Sequence, residues 1–411
     1  MLPTIDVANR RVRLDPRDPA FFDDPYPAYA AIRAAAPAFF WEDYGFWCFA
    51  GHADVSALLR DRRFGRQVLH VMSREELGWP APKGHLAPFD AVERHSILEM
   101  EPPEHTRLRN LVNRAFVSRE VEKLAPCIAE LARERIDGFA CDGGTELIEA
   151  FATPIPVAVI TDLLGVPREM GPELLDWSHR MVAMYQFGAT RAVEESAAEA
   201  AREFASFVRG FARARRAGLG EDLVSQLLVA ESEEGRLSED ELVATCILLL
   251  NAGHEATVHA IGNAVKTILE RGLDPRVLFA DPQATAASVE ELLRLDPPLH
   301  LFTRYALENV EVADVQLRKG DKIGLMLGAA NRDPSRFPAP DSFEPRRAPN
   351  PHVTFGAGLH FCVGAPLARL EMATALPILF ERLPGLRLVE RPRYRNAFHF
   401  HGLEALRVSW G

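Results

Sequence analysis

The chain has 411 residues, of which 47% are hydrophobic and 26% are charged, values that are ordinary for a soluble globular protein. Its formal net charge of -11 argues against a nucleic-acid partner, because binding to phosphates requires a basic surface. The five cysteines lie far apart in the sequence, so their spacing predicts neither a disulfide framework nor a zinc site.

Apolar runs in the sequence are short. The first residues contain no apolar run of the kind found in a signal peptide. The most apolar later stretch, residues 246–250, is followed at once by Asn251, His254 and Glu255, whereas a membrane span requires about 20 apolar residues. We therefore expect a cytoplasmic protein without a membrane partner.

The N-terminal part of the chain mixes two kinds of pattern. Short helical and strand-like stretches alternate up to about residue 60, with β structure expected near 30–60. Residues 62–98 show little periodicity and contain WPAPKG, which indicates a long, partly irregular loop. Helical spacing then dominates roughly 101–300, so the chain is expected to be mainly α-helical.

The C-terminal part predicts a small β region. Period-two alternation with turn residues occurs at 305–327 and again within 383–411, and a helical run lies between them at 364–382. No repeat or clear linker interrupts these patterns. We therefore predict a mainly α fold with a small β region, in a single domain over residues 1–411.

The longest predicted helix begins near residue 239. Ser238 and Glu241 form a capping-box pattern, and the apolar spacing continues to about Leu269. Some 30 residues at about 1.5 Å each span roughly 45 Å, enough to cross a whole domain. Gly253 in the middle of this helix costs about 1 kcal/mol relative to alanine, so we expect another element to pack against it.

A segment near the C terminus carries the most informative pattern. Residues 355–364 read FGAGLHFCVG, and Pro366 predicts a helix that begins just after Cys362. Backbone N–H groups and the helix dipole at that position favour a thiolate. Gly358 and Gly364 permit backbone conformations and close approaches that a side chain would forbid. A lone cysteine is most often a small buried hydrophobic residue, so its neighbours decide the interpretation.

Those neighbours match a known motif. Phe355, Gly358, His360, Cys362 and Gly364 occupy every diagnostic position of the haem-ligand loop of the cytochrome P-450 family, and the chain resembles the family's soluble bacterial (class I) members. Four further segments resemble family motifs and follow the family's order: 101–109 (EPPEHTRLR), 252–255 (AGHE), 291–294 (ELLR) and 343–346 (FEPR). The resemblance therefore extends over most of the chain.

The resemblance implies a single-domain cytochrome P-450 fold whose long central helix lies over a non-covalent haem b. Cys362 is then the axial ligand of the iron, and thiolate ligation favours O–O cleavage. The residues expected to bind the cofactor are His105, Arg109, Arg304, Phe355, Gly358, His360, Cys362 and Gly364. His105 and Arg109 are four residues apart on one helix and therefore share a face that suits an anionic propionate.

The pair Glu291 and Arg294 is expected to have a structural role. Taken alone, two such residues three apart would be an ordinary surface ion pair. The resemblance implies instead a buried pair that is completed by an arginine such as Arg346 and that shapes the ligand loop.

Gly253, Glu255, Ala256 and Thr257 form the expected catalytic segment, which resembles the oxygen-binding kink of the family's central helix. Family members commonly carry threonine directly after the acidic residue, but Ala256 follows Glu255 here. Thr257 lies one position later, about 100° around the helix, so it is not expected to replace the missing hydroxyl directly. Our hypothesis is that a hydroxyl or carbonyl on the correct substrate, or a water that it orders, completes proton delivery; the alternative is that Thr257 with Glu255 suffices. We expect His254 to be a packed or surface histidine rather than a ligand or relay.

The implied activity is a monooxygenase that inserts one oxygen atom from O₂ into a small apolar organic substrate. The expected electron donor is a [2Fe-2S] or similar ferredoxin with an NAD(P)H-dependent reductase. Two alternatives stay open. One is a haem-thiolate enzyme that uses peroxide or rearranges an oxygenated substrate, an alternative that Ala256 supports. The other is a non-catalytic docking member, against which the presence of Cys362 argues.

Overall fold

The computed structural model describes residues 3–114, 116–232 and 237–411. The chain forms two compact units by its internal contacts. The first, called the β-containing unit below, comprises Met1–Met72, Ala129–Ala152 and Ala256–Gly411. The second, called the helical unit, comprises Ser73–Ile128 and Thr153–Glu255.

The β-containing unit holds three sheets. Its strands are β1 (Thr4–Asp6), β2 (Arg11–Arg13), β3 (Ala38–Trp41), β4 (Phe46–Phe49), β5 (Phe64–Gly65), β6 (Gly144–Glu146), β7 (Leu301–Ala306), β8 (Val310–Val312), β9 (Val315–Leu317), β10 (Lys322–Met326), β11 (Arg387–Leu388) and β12 (Arg407–Ser409). The main sheet has seven strands in the order β1-β2-β3-β4-β10-β7-β5, with β2–β3 and β4–β10 parallel and the other pairs antiparallel. A three-stranded sheet has the order β11-β12-β6, and β8 and β9 form a hairpin.

Helices make up most of the chain, which confirms the predicted fold class. The β-containing unit carries α1 (Pro19–Phe22), α2 (Tyr26–Ala35), α3 (His52–Leu58), α13 (Pro275–Leu278), α14 (Pro282–Leu295), α15 (Leu327–Ala330) and α16 (Ala365–Arg382). The helical unit carries α4 (Ala87–Glu93), α5 (Glu104–Asn113), α6 (Ser118–Glu122), α8 (Pro154–Leu164), α9 (Gly171–Val182), α10 (Arg191–Arg215) and α11 (Leu223–Ser232). Two helices, α7 (Ala125–Asp137) and α12 (Glu239–Glu270), contribute residues to both units. The loop predicted at 62–98 contains strand β5 and helix α4.

The core of the β-containing unit follows the alternation of the main sheet. Ile323 and Leu325 of β10 belong to one buried hydrophobic cluster, and Met326 belongs to another. Adjacent residues of a strand point to opposite faces, so the sheet separates the two clusters. Gly324 lies opposite Cys48 of β4, and a Cβ atom there would lie 2.6 Å from the Cys48 sulfur. Only glycine allows the two strands to approach this closely.

Helix α12 has the length and the start that the sequence predicts. It contains 32 residues and ends at Glu270. Ahead of its first turn, the Ser238 backbone N–H donates to the Glu241 carboxylate at 2.8 Å, and the Glu241 N–H donates to the Ser238 hydroxyl at 3.2 Å. The capping box is therefore formed on both sides.

The described residues contain neither a membrane-spanning helix nor a disulfide bond. None of their helices is long and apolar enough to cross a membrane. All five cysteines are free thiols, in agreement with the expected lack of a disulfide framework.

Candidate active site

The cysteine loop lies directly before helix α16. The Cys362 N–H donates to the Phe355 carbonyl at 3.0 Å and closes the loop, while the Ala368 N–H donates to the Gly364 carbonyl at 2.9 Å and opens the helix. Cys362 is exposed and lies three residues ahead of Ala365, the first helical residue. The partial positive charge of a helix N-terminus stabilises negative charge on a nearby sulfur.

Close backbone contacts require glycine in this loop. Gly358 has φ +69°, and a Cβ there would lie 2.5 Å from the Leu59 carbonyl oxygen. Because that contact is with backbone, the neighbour cannot give way. Gly356, which the sequence motif does not single out, has φ +68° and lies against the Phe302 ring. At Gly364, in contrast, a Cβ would lie 3.9 Å from the Cys362 sulfur, which is an ordinary van der Waals distance. This glycine therefore leaves space beside the thiol.

Charged side chains hold the Phe355 ring. The Arg369 guanidinium lies 4.4 Å from the centre of that ring and donates to Glu290 at 2.5 Å. His352 contacts the same carboxylate at 3.0 Å. Burial alone would raise the pKa of Glu290, but His352 and Arg369 lower it to about 2. The sequence analysis missed Glu290, Arg369 and His352; the only signal was that Glu290 precedes a recognised motif.

The pair Glu291 and Arg294 is fully buried in the β-containing unit. Arg294 binds both carboxylate oxygens of Glu291 at 2.8 Å and also donates to the carbonyls of Asn331 and Pro340 at 2.8 Å. The carboxylate of Glu291 accepts from Asn350 at 3.1 Å. The pair therefore fixes the segment that leads into the cysteine loop, which is the structural role expected for it.

The arginine that completes this pair is Arg347 and not Arg346. Arg347 donates to Glu291 at 3.2 Å, and its side chain is only 8% exposed. Arg346 is exposed, and its backbone N–H donates to Glu344. The motif resemblance placed the arginine one position too early, because a spacing pattern does not show which of two adjacent side chains turns inward.

The remaining predicted cofactor residues are divided between the two units. Arg304 and His360 lie with Cys362 in the β-containing unit; Arg304 is 3% exposed on β7, and His360 is half-buried. His105 and Arg109 lie on α5 of the helical unit. His105 is buried, and the half-buried Arg109 donates to Asn113 at 2.9 Å.

Glu255 lies in a polar cluster within the helical unit. Its carboxylate is 3.4 Å from Nε2 of His179 on α9 and 3.6 Å from Nε2 of its own neighbour His254. Glu255 and His254 are buried, whereas the side chain of His179 is 50% exposed. His254 is thus packed inside the helical unit rather than on the surface.

Gly253 packs against another helix, as its position in the middle of α12 predicts. Ile160 of α8 approaches it so closely that a Cβ on residue 253 would lie 2.7 Å from the Ile160 side chain. The glycine therefore lets α8 and α12 pack at short range.

The side chain of Thr257 has different neighbours from that of Glu255. It lies beside Glu371, a fully buried carboxyl on α16 that the sequence analysis did not single out. Burial raises the pKa of Glu371 to about 8, against a smaller lowering by the Thr257 side chain. Residues two apart on a helix point about 200° apart, so Glu255 and Thr257 lie on different sides of α12. Ala256 between them offers no polar side-chain group.

The residues of the cysteine loop fit a haem. An exposed thiol stands ahead of a helix N-terminus, a glycine leaves space beside it, and the adjacent Phe361 exposes 39% of its apolar surface. A thiolate, an apolar face and a buried arginine are the groups that bind the iron, the ring and the propionates of this cofactor. Fold and site together define a haem-thiolate protein.

Comparisons with known proteins agree with this class. The family model described as cytochrome P450 matches residues 283–384. The polyketide biosynthesis cytochrome P450 PksS of Bacillus subtilis is 32% identical over 97% of this chain and 99% of its own length. The 6-deoxyerythronolide B hydroxylase of Saccharopolyspora erythraea is 35% identical over 95% and 96%.

A solved structure matches equally well. It is P450BioI in complex with an acyl carrier protein ligated to hexadec-9Z-enoic acid, with a TM-score of 0.89, 33% identity, and coverage of 95% of this chain and 100% of that one. The chain belongs to the cytochrome P450 family. It is a haem-thiolate monooxygenase, and its cofactor is haem b.

Proposed function

We propose that this monooxygenase inserts one oxygen atom from O₂ into a largely apolar organic molecule, with electrons from a ferredoxin and its NAD(P)H-dependent reductase in the cytoplasm. The cysteine loop carries the proposal, because it presents an exposed sulfur at a helix N-terminus beside a glycine. When bound, the haem supplies the iron at which O₂ is reduced.

We assign the cofactor contacts residue by residue. The Cys362 sulfur would ligate the haem iron, and Phe355, Gly358 and Gly364 would shape the loop around it. The cations that would neutralise the propionates are Arg304, His360, His105 and Arg109. Charge-assisted hydrogen bonds to carboxylates are about twice as strong as neutral ones, so these cations set how firmly the cofactor is held.

The proposed substrate class rests on the relatives. One of them belongs to polyketide biosynthesis, and P450BioI binds an acyl carrier protein that carries a fatty acid. A hydrocarbon chain buries apolar surface and offers few polar anchors. We expect hexadec-9Z-enoic acid or 6-deoxyerythronolide B to shift the haem Soret band towards the high-spin form. A shift only with small charged ligands would contradict this class.

Ala256 leads to the proposal for proton delivery. Glu255 holds and exchanges protons from a buried position, while Thr257 lies beside Glu371 on the other side of the helix. A hydroxyl or carbonyl on the correct substrate, or a water that it orders, then supplies the hydrogen bond that Ala256 cannot make. Glu255, Ala256, Thr257 and Gly253 make up this catalytic segment, with Gly253 as its packing element.

Coupling efficiency tests the substrate-assisted relay. The amount of product formed per NAD(P)H consumed should be high for substrates that carry a suitably placed polar group. It should be low for hydrocarbon analogues of similar shape, because with these analogues the enzyme should release peroxide instead. Ala256→Thr should rescue the analogues more than the polar substrates. Equal coupling for both kinds of substrate in the parent enzyme would refute the relay.

The electron donor is the second part of the proposal. Arg107 pairs with Glu241, so its charge is compensated and it adds little to a docking patch. Arg114, directly after α5, is exposed. An acidic ferredoxin that uses Arg114 should reduce the enzyme more slowly as salt rises, and more slowly still in Arg114→Glu. Salt-independent reduction by every ferredoxin tested would contradict this docking.

A second candidate function follows from Ala256 alone. Without the hydroxyl, the enzyme could use peroxide directly and need no electron donor. Product formation from hydrogen peroxide at rates equal to or above the NAD(P)H-driven rate would favour that function.

A further inference from the structure

Three potential metal ligands from two helices meet at Glu255 inside the helical unit. His179 comes from α9, and His254 and Glu255 come from α12. Nε2 of each histidine lies 3.4 or 3.6 Å from the same Glu255 oxygen, and all three ligand atoms lie within 4.8 Å of one another. The two imidazole rings are 6.0 Å apart, centre to centre.

The tautomer of His254 suits a metal ligand. Its Nδ1 is 2.7 Å from the Leu250 carbonyl oxygen. A carbonyl oxygen can only accept, so Nδ1 donates to it, and the other ring nitrogen, Nε2, lies 3.6 Å from the Glu255 carboxylate. Histidine ligands of metals commonly have this arrangement, with the other ring N–H fixed on a backbone carbonyl.

The spacing fits a small tetrahedral ion. Ligand atoms bonded to Zn²⁺ at about 2.0–2.1 Å lie roughly 3.3 Å apart, close to the two distances to Glu255. Two histidines and a glutamate form a known zinc ligand set with one open position. The half-exposed side chain of His179 gives the ion a route from solvent and leaves freedom for a small closing movement.

A buried oxygen lies on the same face of α12. Asn251 is one turn before Glu255, and its Oδ1 is buried with no hydrogen-bond partner among the described residues. Its Nδ2 contacts the Met181 sulfur at 3.9 Å, which places it next to the end of α9. Asn251 therefore adds a buried amide oxygen on the face of α12 that carries Glu255.

We propose that His179, His254 and Glu255 form a site for a divalent transition-metal ion, with Zn²⁺ as the best match, and that the bound ion inhibits the enzyme. The inhibitory part rests on the proposed role of Glu255: a metal-bound carboxylate can no longer hold and exchange protons for the reaction.

A second group of potential ligands, Asp296, His300 and His401 in the β-containing unit, does not suit a metal. All three are fully buried, and the Asp296 carboxylate already accepts hydrogen bonds from the hydroxyls of Tyr26 and Tyr394. An ion there would have no route from solvent and would displace these bonds.

Metal binding is tested on the holoenzyme by equilibrium dialysis against buffered Zn²⁺, with zinc and iron measured by elemental analysis. We expect one more zinc per haem in the parent enzyme than in His179→Ala or His254→Ala, whose affinity should fall about tenfold or more. His70→Ala, which removes an exposed histidine elsewhere in the chain, should bind as the parent does. Identical zinc binding in all four proteins would overturn the site.

Activity is measured as the ratio of product formation with and without Zn²⁺, so that a change in the basal rate of a variant does not matter. Zinc should lower this ratio in the parent and in His70→Ala, and much less in His179→Ala. If zinc binds with the expected dependence on His179 but leaves the ratio unchanged, the site stands and the inhibitory role is refuted. Failure of the proposed proton role itself would appear separately, as undiminished coupled turnover in Glu255→Gln.

Discussion

The buried carboxyl of Glu371 changes how the free energy of unfolding depends on pH. Its folded-state pKa of about 8 lies above its ordinary value of 4.5 because burial disfavours the charged form. Between these values the folded protein keeps a proton that the unfolded chain has lost. The contribution to stability is therefore fully present below about pH 4.5 and is lost as the pH rises through 8.

Replacing this carboxyl by an amide should remove that loss. Glu371→Gln should raise the free energy of unfolding relative to the parent by an amount that grows from pH 5 to pH 8 and reaches a few kcal/mol. Chemical unfolding at pH 5, 6.5 and 8 measures the trend. Glu381→Gln, at an exposed position of the same helix, is the matched control substitution. A Glu371→Gln difference that shrinks with rising pH would contradict the assigned protonation state.

Single residues were predicted to different degrees. The motifs identified Cys362, Glu291 and Arg294 because these residues keep fixed spacings within short segments. The choice between Arg346 and Arg347 depended on which side chain turns inward, which spacing does not encode. Glu371 could not be found, because a glutamate in a helical stretch normally lies on the surface and only tertiary packing buries it.

At the scale of elements, the contact between α8 and α12 depends on Gly253. Alanine is about 1 kcal/mol better than glycine in a helix, but overpacking against Ile160 costs about 1–3 kcal/mol. Gly253→Ala should therefore destabilise the parent by about 1 kcal/mol and stabilise an Ile160→Ala background by a similar amount. Thermal or chemical unfolding of the four proteins of this cycle gives the two values.

Gly210 provides the matched control for this cycle. It lies inside α10, and a Cβ there would have no neighbour within 4 Å. Gly210→Ala should stabilise the protein by about 1 kcal/mol in both backgrounds. If Gly253→Ala changes the free energy of unfolding in the same direction with and without the Ile160 side chain, the close contact does not determine the role of this glycine.

Elements with strong local signals were predictable. The capping box of Ser238 and Glu241 marked the start of α12, and the helix after Cys362 was placed by Pro366. Helix α4 was missed because it is only seven residues long and lies in a segment rich in Pro and Gly. Its amphipathic pattern is too short to stand out from an irregular loop.

At the scale of the whole molecule, cofactor retention tests the residues that are assigned to the haem propionates. Removing Arg109 should cost about 1.5–3 kcal/mol of charge-assisted hydrogen bonding, which corresponds to roughly 10- to 100-fold faster haem loss. Haem transfer to excess apomyoglobin measures the rate. Arg276→Ala is the control, because the side chain of Arg276 is 90% exposed. Equal rates in Arg109→Ala and Arg276→Ala would argue against a propionate contact.

The fold class followed from the sequence because helical periodicity covers most of the chain and five motifs occur in the order of one family. The substrate did not follow from either the sequence or the fold. An apolar pocket is built from the same leucines, phenylalanines and methionines as a hydrophobic core, so its composition carries little information about the ligand.

Ligation of the haem iron by the Cys362 thiolate is tested most directly by the absorption spectrum of the reduced protein under CO. The parent should show the red-shifted Soret band of thiolate ligation, and Cys362→His should lose that band while it retains haem. Cys127→Ala, which removes a half-buried cysteine of the helical unit, should keep it. A red-shifted band that persists in Cys362→His, or is missing in the fully haem-loaded parent, would contradict the assignment.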